Sequence, residues 1–192
     1  MKKLRNILFI FILTGSSVFG QDILCDQDSI SREEFNSKAL TVVDDLGKYI
    51  NIVSDKNSHW KDVKSAIDLA CDLFTSEDAE VEVSFKGRSE HTIYKIRTYL
   101  ERMKLLKYDK VDISWSDIRF VSKLRKGDDG LYYGIVSIQQ RFTGYRDNRI
   151  IYKDVTEKHL EIVLKPHTKS INGEEMVLCD VYLGNMGVEI TE

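Results

Sequence analysis

The second half of the chain, residues 111–190, alternates apolar and polar residues between short turn signals. Alternation places every second side chain on the same face of a strand. Turns are indicated at Lys126–Gly130, at Tyr145–Arg149 and at Asn172-Gly173, a pair that tolerates the positive φ angles of a tight hairpin. We expect the glycine-flanked segment Gly184–Gly187 to end the last strand. The pattern predicts an antiparallel sheet of four strands: Val111–Phe120, Leu131–Phe142, Ile150–Lys165 and Met176–Leu183.

The first of these strands changes phase near its middle. Its apolar residues occupy odd positions up to Trp115 and even positions from Ile118 onward, so the shift falls at Ser116-Asp117. A shift of one residue within a strand is typical of a β-bulge, and bulges often lie at sheet rims beside functional sites. We therefore predict a bulge at this point.

Helical spacing of apolar residues dominates the chain before the sheet. Ser31-Arg-Glu-Glu34 is a capping-box pattern that begins one helix, and a second helix begins near Trp60. A short strand is predicted within residues 79–85, and a third helix covers roughly Thr92–Leu106. The predicted order is α-α-β-α-β-β-β-β. This is an α+β fold, in which three N-terminal helices cover one face of a curved antiparallel sheet.

The first twenty residues have the pattern of a signal peptide. Lys2, Lys3 and Arg5 precede a short apolar run, and small residues follow it up to Gly20. We expect cleavage between Gly20 and Gln21, export to the periplasm or the medium, and no transmembrane helix in the mature chain. Residues 21–32 would be a polar lead-in, and residues 33–192 a single domain.

A competing hypothesis makes the chain a lipoprotein anchored at Cys25. Asp22-Ile23-Leu24 stands before that cysteine, without the small residue that lipidation favours. Cleavage near Gly20 is therefore the favoured prediction.

Charge argues against nucleic acid as a partner. Loss of three basic residues with the signal peptide leaves 25 basic and 31 acidic residues from the original 28 and 31, a net charge of −6. Such a chain has no basic surface for a phosphate backbone.

The three cysteines, Cys25, Cys71 and Cys179, are an odd set rather than a disulfide framework. Cys71 lies on the apolar side of the second helix, and Cys179 lies on the apolar parity of the last strand. Both are predicted to be small buried hydrophobes. An exported protein would also permit a Cys71–Cys179 bridge if that helix crosses that strand.

No metal or cofactor site is predicted. The four histidines are scattered, and none has a second ligand at a helical or hairpin spacing. Phosphate-binding, zinc-protease, calcium-loop and nucleophile-elbow motifs are also absent from the sequence.

The order of elements resembles the NTF2-like superfamily, also described as a cystatin-like α+β cone. The resemblance is carried by Ala66–Phe74 at the end of a helix, the step Asp78–Val83 into a strand, the helix Ile93–Leu106 and the long strands after it. It covers about Glu33–Leu183. The superfamily includes dehydratases and isomerases that act in the cone pocket, and also non-enzymatic dimerising or binding modules. The fold alone therefore does not choose a function.

The predicted inner face of the sheet offers a pocket. If Leu160, Ile162 and Leu164 face the helices, four polar residues of the same strand share their parity: Tyr152, Asp154, Thr156 and Lys158. Polar groups at one end of an apolar cavity are typical of a ligand site. The predicted pocket residues are Trp60, Tyr99, Trp115, Asp117, Gln140 and Tyr152. The alternative is that the polar residues meet only water where the strand leaves the core.

The resemblance also implies an acid/base residue in such a pocket when a member is an enzyme. Asp117, at the predicted bulge, would be the general base, and Tyr152 or Lys158 would polarise the substrate. No Asp–His pair lines the predicted interior, which departs from the enzymes. Without catalysis, Trp60, Tyr99 and Trp115 would plug the cone.

The predicted outer face of the sheet offers a partner surface. Its tyrosines, arginine and matched charges are typical of protein interfaces, and related sheets often pair back to back. We predict a homodimer through Tyr133, Gln139, Arg141, His159 and Tyr182, with Glu161 and Asp180 beside them. An ordinary solvated face is the alternative.

The favoured function is an exported, non-catalytic module that binds a ligand or a protein. A small-molecule lyase or isomerase is the alternative. A structural part of an envelope assembly is a third hypothesis, which differs only at the outer face.

Overall fold

The computed structural model describes residues 23–24, 32–87 and 90–191. The described chain is an α+β fold of three helices and a mixed sheet, as the sequence predicted at the level of class. Its helices are α1 Arg32–Ser54, α2 Trp60–Asp72 and α3 Ile96–Lys104. Its strands are β1 Ile23–Leu24, β2 Glu80–Val83, β3 Thr92–Lys95, β4 Lys110–Phe120, β5 Arg125–Lys126, β6 Tyr132–Arg146, β7 Arg149–Ile171 and β8 Glu174–Thr191. The predicted signal peptide and Cys25 lie outside the described residues.

The sheet runs in the order β3-β2-β8-β7-β6-β4, with β1 added beside β8 and β5 beside β6. Its neighbours pair antiparallel with one exception, since β2 runs parallel to β8 and Val81 lies opposite Met186. The expectation of a purely antiparallel sheet is therefore wrong. The segment between α2 and α3 returns to the far edge of the sheet, a pairing that local alternation cannot reveal.

The predicted hairpin turns are present. Asp147 and Asn148 have φ angles of 49° and 57° between β6 and β7, and Asn172 and Gly173 have φ angles of 54° and 87° between β7 and β8. These left-handed conformations match the twist of the flanking strands, which is why Asn, Asp and Gly occupy them. The two turns set β6, β7 and β8 side by side in antiparallel register.

The last two strands are longer than predicted. β7 continues past Lys165 to Ile171, where Pro166 is tolerated because β6 no longer pairs beyond Leu164 and one edge of β7 is open. β8 also continues through Gly184–Gly187 to Thr191. The register shift between Leu160 and Ile162 accommodates the extra residue there, so this segment does not end the sheet.

The third helix begins later than predicted. Thr92–Lys95 pairs antiparallel with β2, and α3 starts only at Ile96. A β-branched pair followed by tyrosine suits a strand better than a helix, and this local preference outweighs the apolar spacing. Lys95 then turns the chain, with an extended backbone at φ −65° and ψ 147°.

The core lies between the helices and one face of β6, β7 and β8. Val136, Ile138, Leu160, Ile162 and Leu164 point to that face, which confirms the predicted parity of these strands. The inner face of α1 covers them with Val43, Leu46 and Ile50. Burial of this continuous apolar surface is the main source of the fold's stability.

The Cys71–Cys179 bridge that an exported protein would permit is not formed. Cys71 is buried and free, whereas Cys179 is disulfide-bonded. The end of α2 meets β8 at Leu183, through the bridge formed by Phe74. Cys179 lies four residues away, about 13 Å along the strand. The helix therefore meets β8 too far from that cysteine.

Two lysines join the C-terminal ends of α1 and α3. Lys56 Nζ donates to the carbonyls of Lys104 and Leu106, both at 2.8 Å. Lys104 Nζ donates in return to the carbonyls of Asp55 at 2.7 Å and Ser58 at 3.3 Å. The last carbonyls of a helix lack partners within the helix and carry partial negative charge, which a lysine satisfies. The exchange fixes the end of α3 beside the sheet.

Candidate ligand cavity

A cavity of about 160 Å³ lies between α3, the segment after β2 and the inner face of the sheet. Much of its wall is aromatic or aliphatic and includes Phe85, Tyr99, Met103, Tyr108, Ile113 and Phe142. Phe142 packs edge-on against Tyr108 and Tyr152, with ring centroids 5.6 Å and 5.8 Å apart. A cavity of this size is close to that which holds a single benzene ring.

Tyr108 can occupy this wall because Gly144 lies under it. An added Cβ at Gly144 would meet the ring carbon Cδ1 of Tyr108 at 2.5 Å, well inside contact distance. Gly144 lies opposite Tyr152 in the ladder between β6 and β7, on the same side as the cavity. The missing side chain therefore lets the ring approach the sheet beside Tyr152.

Four polar side chains of β7 lie on the cavity wall: Tyr152, Asp154, Thr156 and Lys158. They alternate along the strand with outward residues and continue the parity of Leu160, Ile162 and Leu164. The core face of β7 therefore becomes the floor of the cavity without a change of register on that strand. Asp154 and Lys158 are only 6% and 2% exposed.

Asp154 is held by one of its two carboxyl oxygens. The hydroxyl of Tyr152 donates to Asp154 Oδ2 at 2.6 Å and accepts from the backbone N–H of Lys86 at 3.1 Å. The second oxygen, Oδ1, is buried and has no hydrogen-bond partner among the described residues. Burial raises the pKa of Asp154, against the opposing effects of the Tyr152 hydrogen bond and the charges of Lys158 and Lys86. Burial and the hydrogen bond to Asp154 raise the pKa of Tyr152 to about 12.

Gln140 supplies a second acceptor without a partner. It lies opposite Thr156 on the neighbouring strand β6 and is 8% exposed. Its side-chain oxygen, Oε1, is buried without a hydrogen-bond partner in the described part of the chain. The cavity wall thus contains two oxygen atoms that can each accept a further hydrogen bond.

Lys158 contributes an amine to the same wall. Its Nζ donates to the backbone carbonyl of Glu82 at 3.0 Å and lies 5.6 Å from the centroid of the Tyr99 ring. Burial lowers the pKa of Lys158 to about 8, while the charges of Asp154 and Glu82 oppose that shift. Burial also raises the pKa of Tyr99. The cavity therefore brings together a carboxyl group, a phenol and an amine.

Hydroxyl groups connect the strands beside the cavity. Thr191 at the end of β8 is hydrogen-bonded to Ser84 and, at 3.2 Å, to Thr156 of β7. Val188 also donates its backbone N–H to Glu82 Oε2 at 2.9 Å. The end of β8 thus holds β2 and the following segment against the cavity floor.

The cavity takes up some of the predicted pocket residues and leaves out others. Tyr99, Gln140 and Tyr152 line it, as does Lys158, which was predicted to polarise a substrate. Trp60 does not line it, because it starts α2 on the outside of the molecule and is 59% exposed. Trp115 is half-buried on β4 and packs against Gly47 of α1. Neither tryptophan plugs the cavity.

Asp117 also lies outside the cavity. The predicted bulge is present, with a register shift between Ser116 and Arg119 and a φ angle of 50° at Asp117. The bulge leaves Asp117 exposed, so the general-base role predicted for it has no cavity beside it. Asp154 is the carboxylate that the cavity contains. Alternation along β7 had predicted that Asp154 faces the cavity. The general-base role was nevertheless assigned to Asp117, because bulges often lie beside functional sites.

The predicted interface residues lie on the opposite, outer face of the sheet. Tyr133 and Tyr182 flank Val163 in one cross-strand row, and Val163 is only 2% exposed. Gln139 and His159 lie on the same face. His159 Nδ1 is 3.6 Å from Glu189 Oε2. Arg141, opposite Val155, is exposed. The homodimer through this face remains a prediction.

No group of three or more His, Cys, Asp and Glu side chains within the described residues is arranged to hold a metal ion. None of the helices found there is long and apolar enough to cross a membrane.

Comparisons with known proteins give one structural likeness. No protein-family model matches the chain, and no curated protein matches it. A solved structure described as "Putative Scytalone Dehydratase" from Novosphingobium aromaticivorans DSM 12444 is similar at 12% identity and a TM-score of 0.42. The match covers 83% of this chain and 88% of that one. Similarity at this level assigns neither a family nor an activity.

Proposed function

We propose that the chain is an exported, NTF2-like binding domain that holds a small, largely apolar molecule in the cavity. The observation that carries the proposal is the pair of buried acceptors, Asp154 Oδ1 and Gln140 Oε1, without partners among the described residues. A buried polar atom without a hydrogen bond costs about 1–3 kcal/mol. A ligand that donates to both atoms would recover that cost, which supports a binding role for this wall.

The cavity restricts the chemistry of that ligand. A volume of about 160 Å³ accommodates roughly one six-membered ring with a short substituent. Phe142, Tyr108 and Tyr99 offer ring faces and edges to an aromatic or unsaturated group. Asp154 and Gln140 require hydrogen-bond donors at one end. A single-ring compound with two neighbouring hydroxyl groups, such as a catechol or a small cyclic diol, has this pattern.

Export and family membership belong to the same proposal. A disulfide-bonded cysteine, Cys179, suits an oxidising compartment and supports the signal peptide predicted for residues 1–20. Three helices over one face of a bulged sheet, with a cavity between α3 and that face, support the NTF2-like assignment.

The binding proposal is tested by calorimetric titration of the protein with catechol and with toluene, two probes of one ring. We expect catechol to bind more tightly than toluene, because only catechol donates hydrogen bonds. Asp154→Asn and Gln140→Leu are each expected to weaken catechol binding about tenfold, the equivalent of one net hydrogen bond.

Asp117→Asn is the matched control, because Asp117 is exposed and lies outside the cavity. It should leave the affinity for catechol unchanged. If neither probe binds, or if Asp117→Asn weakens binding as much as Asp154→Asn, the ligand does not lie in this cavity.

A lyase or isomerase acting in the cavity is the second candidate. The observation in its favour is the buried Asp154 carboxyl group with a raised pKa, hydrogen-bonded to the Tyr152 hydroxyl. In this form of the hypothesis Asp154 takes the acid/base role first assigned to Asp117, and Tyr152 or Lys158 polarises the substrate.

Hydrogen–deuterium exchange at the methyl group of acetophenone tests the second candidate, since that exchange requires proton abstraction beside a carbonyl. We expect exchange above the buffer rate in the wild type. Asp154→Asn should lower it at least about a hundredfold, the usual contribution of a general base. Exchange that persists in Asp154→Asn would exclude this residue as the base.

A further inference from the structure

Lys158 is the feature of the cavity that simple binding does not explain. Its side chain is 2% exposed, and among the described residues no carboxylate oxygen lies within ion-pairing distance of Nζ. A buried ammonium group without a close counter-ion is costly, and a methionine or leucine would fill the same space without that cost. Packing alone therefore does not explain why a lysine occupies this position.

The surroundings of Lys158 make its neutral, nucleophilic form more accessible than that of an exposed lysine. One N–H donates to the carbonyl of Glu82. The other positions on Nζ, including the lone pair of the neutral form, are available to the cavity, which Lys158 lines together with Tyr99 and Asp154. With a pKa of about 8 against the ordinary 10.5, Lys158 is mostly protonated at neutral pH, but its neutral fraction, about a tenth, exceeds that of an exposed lysine roughly three hundredfold. A desolvated lysine of this kind is an activated nucleophile.

We propose that Lys158 captures small aldehydes or ketones in the cavity as an imine on Nζ. This inference rests on the proposed binding function and narrows its ligand to carbonyl compounds of about one ring. A single-ring aldehyde is matched to the volume of the cavity and to its aromatic wall.

The chemistry needs no partner other than the carbonyl compound. The Nζ lone pair attacks the carbonyl carbon, and the carbonyl electron pair moves to oxygen, which takes up a proton. The carbon–oxygen bond then breaks with a second proton, water leaves, and nitrogen forms the double bond as it loses its protons. The balance is one amine and one carbonyl giving one imine and one water.

We assign these proton transfers to Asp154, which lines the same cavity. It lies on the same face of β7 as Lys158, and burial raises its pKa, so it holds a proton more readily than an exposed aspartate. The Tyr152 hydroxyl donates a hydrogen bond to Asp154 at 2.6 Å, which holds the carboxyl group in place. The acid and the nucleophile are therefore both contained in the cavity wall.

Reductive trapping tests the proposal. The folded protein is incubated near neutral pH with a low concentration of benzaldehyde and cyanoborohydride, which reduces an imine to a stable benzylamine. Peptide mapping by mass spectrometry then locates the added benzyl groups. We expect Lys158 to be labelled at least tenfold faster than any exposed lysine.

Lys158→Met and Lys153→Met are the matched variants, because Lys153 is an exposed lysine on the same strand. Lys158→Met should remove the fast label, and Lys153→Met should leave it unchanged. Mapping of the wild type decides the question even if Lys158→Met fails to fold. Labelling that is spread evenly over exposed lysines would overturn the proposal.

Benzyl alcohol separates the failure of this inference from the failure of the binding proposal. It has the same ring and a hydroxyl donor but cannot form an imine. Benzyl alcohol that binds the wild type, together with an unlabelled Lys158, would refute imine formation and retain the binding function. If benzyl alcohol does not bind and Lys158 is not labelled, both proposals fail.

Discussion

At the scale of single residues, the cavity depends on polar side chains that interrupt an apolar strand face. Tyr152, Asp154, Thr156 and Lys158 occupy positions that would otherwise extend the core of β7. Replacing such groups with apolar residues often stabilises a protein, so their presence has a cost in folding free energy. That cost can be measured most directly at Lys158.

Lys158→Met is expected to raise the free energy of unfolding at neutral pH by about 1–3 kcal/mol, because it removes a buried charge. The folded pKa of Lys158 is about 8 and its ordinary value is 10.5, so between these values the unfolded chain binds more protons. Stability of the wild type should therefore rise with pH across this window, and the advantage of the variant should shrink. Below pH 8 both states are protonated and the penalty is fully present.

Urea unfolding of both proteins at pH about 7 and about 10 checks this expectation. The difference between the two proteins removes the contributions of groups that do not interact with Lys158, and it retains the coupling of Lys158 to Asp154 and Glu82. A difference that does not change with pH would show that Lys158 has an ordinary pKa in the folded protein.

Alternation along β7 was enough to predict which residues form the cavity floor. Where the backbone departs from regular strand geometry, alternation no longer predicts the direction of a side chain. The shared parity of Tyr152, Lys158 and Leu160 follows from the period of a strand, which the sequence displays directly. The direction of Asp117 depends on the backbone of the bulge, where parity no longer applies. Tyr108 comes from a loop and gives no periodic signal, although Gly144 on the inner parity of β6 marks the space that its ring occupies.

At the scale of elements, the reciprocal hydrogen bonds of Lys56 and Lys104 hold the ends of α1 and α3 together beside a wall of the cavity. Lys56 and Lys104 each satisfy two carbonyls at the end of the other helix, and Leu106 beside them lines the cavity. Burial and the nearby charge of Lys104 lower the pKa of Lys56, so the pair works against mutual repulsion. The free energy gained from the hydrogen bonds near the helix ends must therefore exceed the cost of the repulsion between the two lysines.

Lys56→Met and Lys104→Met are each expected to lower the free energy of unfolding by about 0.5–2 kcal/mol. The reason is that each change leaves two backbone carbonyls near the helix ends without their donor. Thermal unfolding monitored by circular dichroism provides the measurement. Lys64→Met, an exposed change on α2, should stay within about 0.5 kcal/mol of the wild type. An equal loss in all three variants would show that the exchange has no special role.

The sequence predicted whether a segment is a helix or a strand better than it predicted where each element begins and ends. Strong alternation and Asn-Gly or Asp-Asn turns defined β6, β7 and β8, because the period and the turn chemistry are local. The start of α3 and the length of β8 depend on pairing with β2 and on the register shift beside Leu160, which involve distant residues. The parallel contact between β2 and β8 has no local signal at all.

At the scale of the whole molecule, the outer face of the sheet is the surface available for a partner. Tyr133 and Tyr182 lie on either side of the buried Val163, and exposed Arg141 lies on the same face. Tyrosine and arginine are enriched at interfaces, where they combine apolar area with hydrogen bonding. We propose a homodimer through this face.

Light scattering coupled to size-exclusion chromatography, on residues 21–192, tests the dimer. We expect the wild type to have the mass of two chains and Tyr133→Glu/Tyr182→Glu to have the mass of one, since buried like charges would oppose each other across the interface. Lys64→Met, an exposed change on helix α2 on the other side of the sheet, should remain dimeric. A monomeric wild type would remove the proposal and leave the cavity as the principal site.

The parallel pairing of β2 with β8 also governs when the cavity can exist. Val81 meets Met186, and Glu80 donates its backbone N–H to Asn185 Oδ1 at 2.9 Å, across more than a hundred residues of chain. Contacts this distant in sequence are entropically expensive to close and tend to form late. Helices α1 and α2 and the hairpin of β6 and β7 can assemble before β8 is in place. The cavity wall formed after β2 is held by β8, so the chain would acquire its binding site only when its final strand pairs.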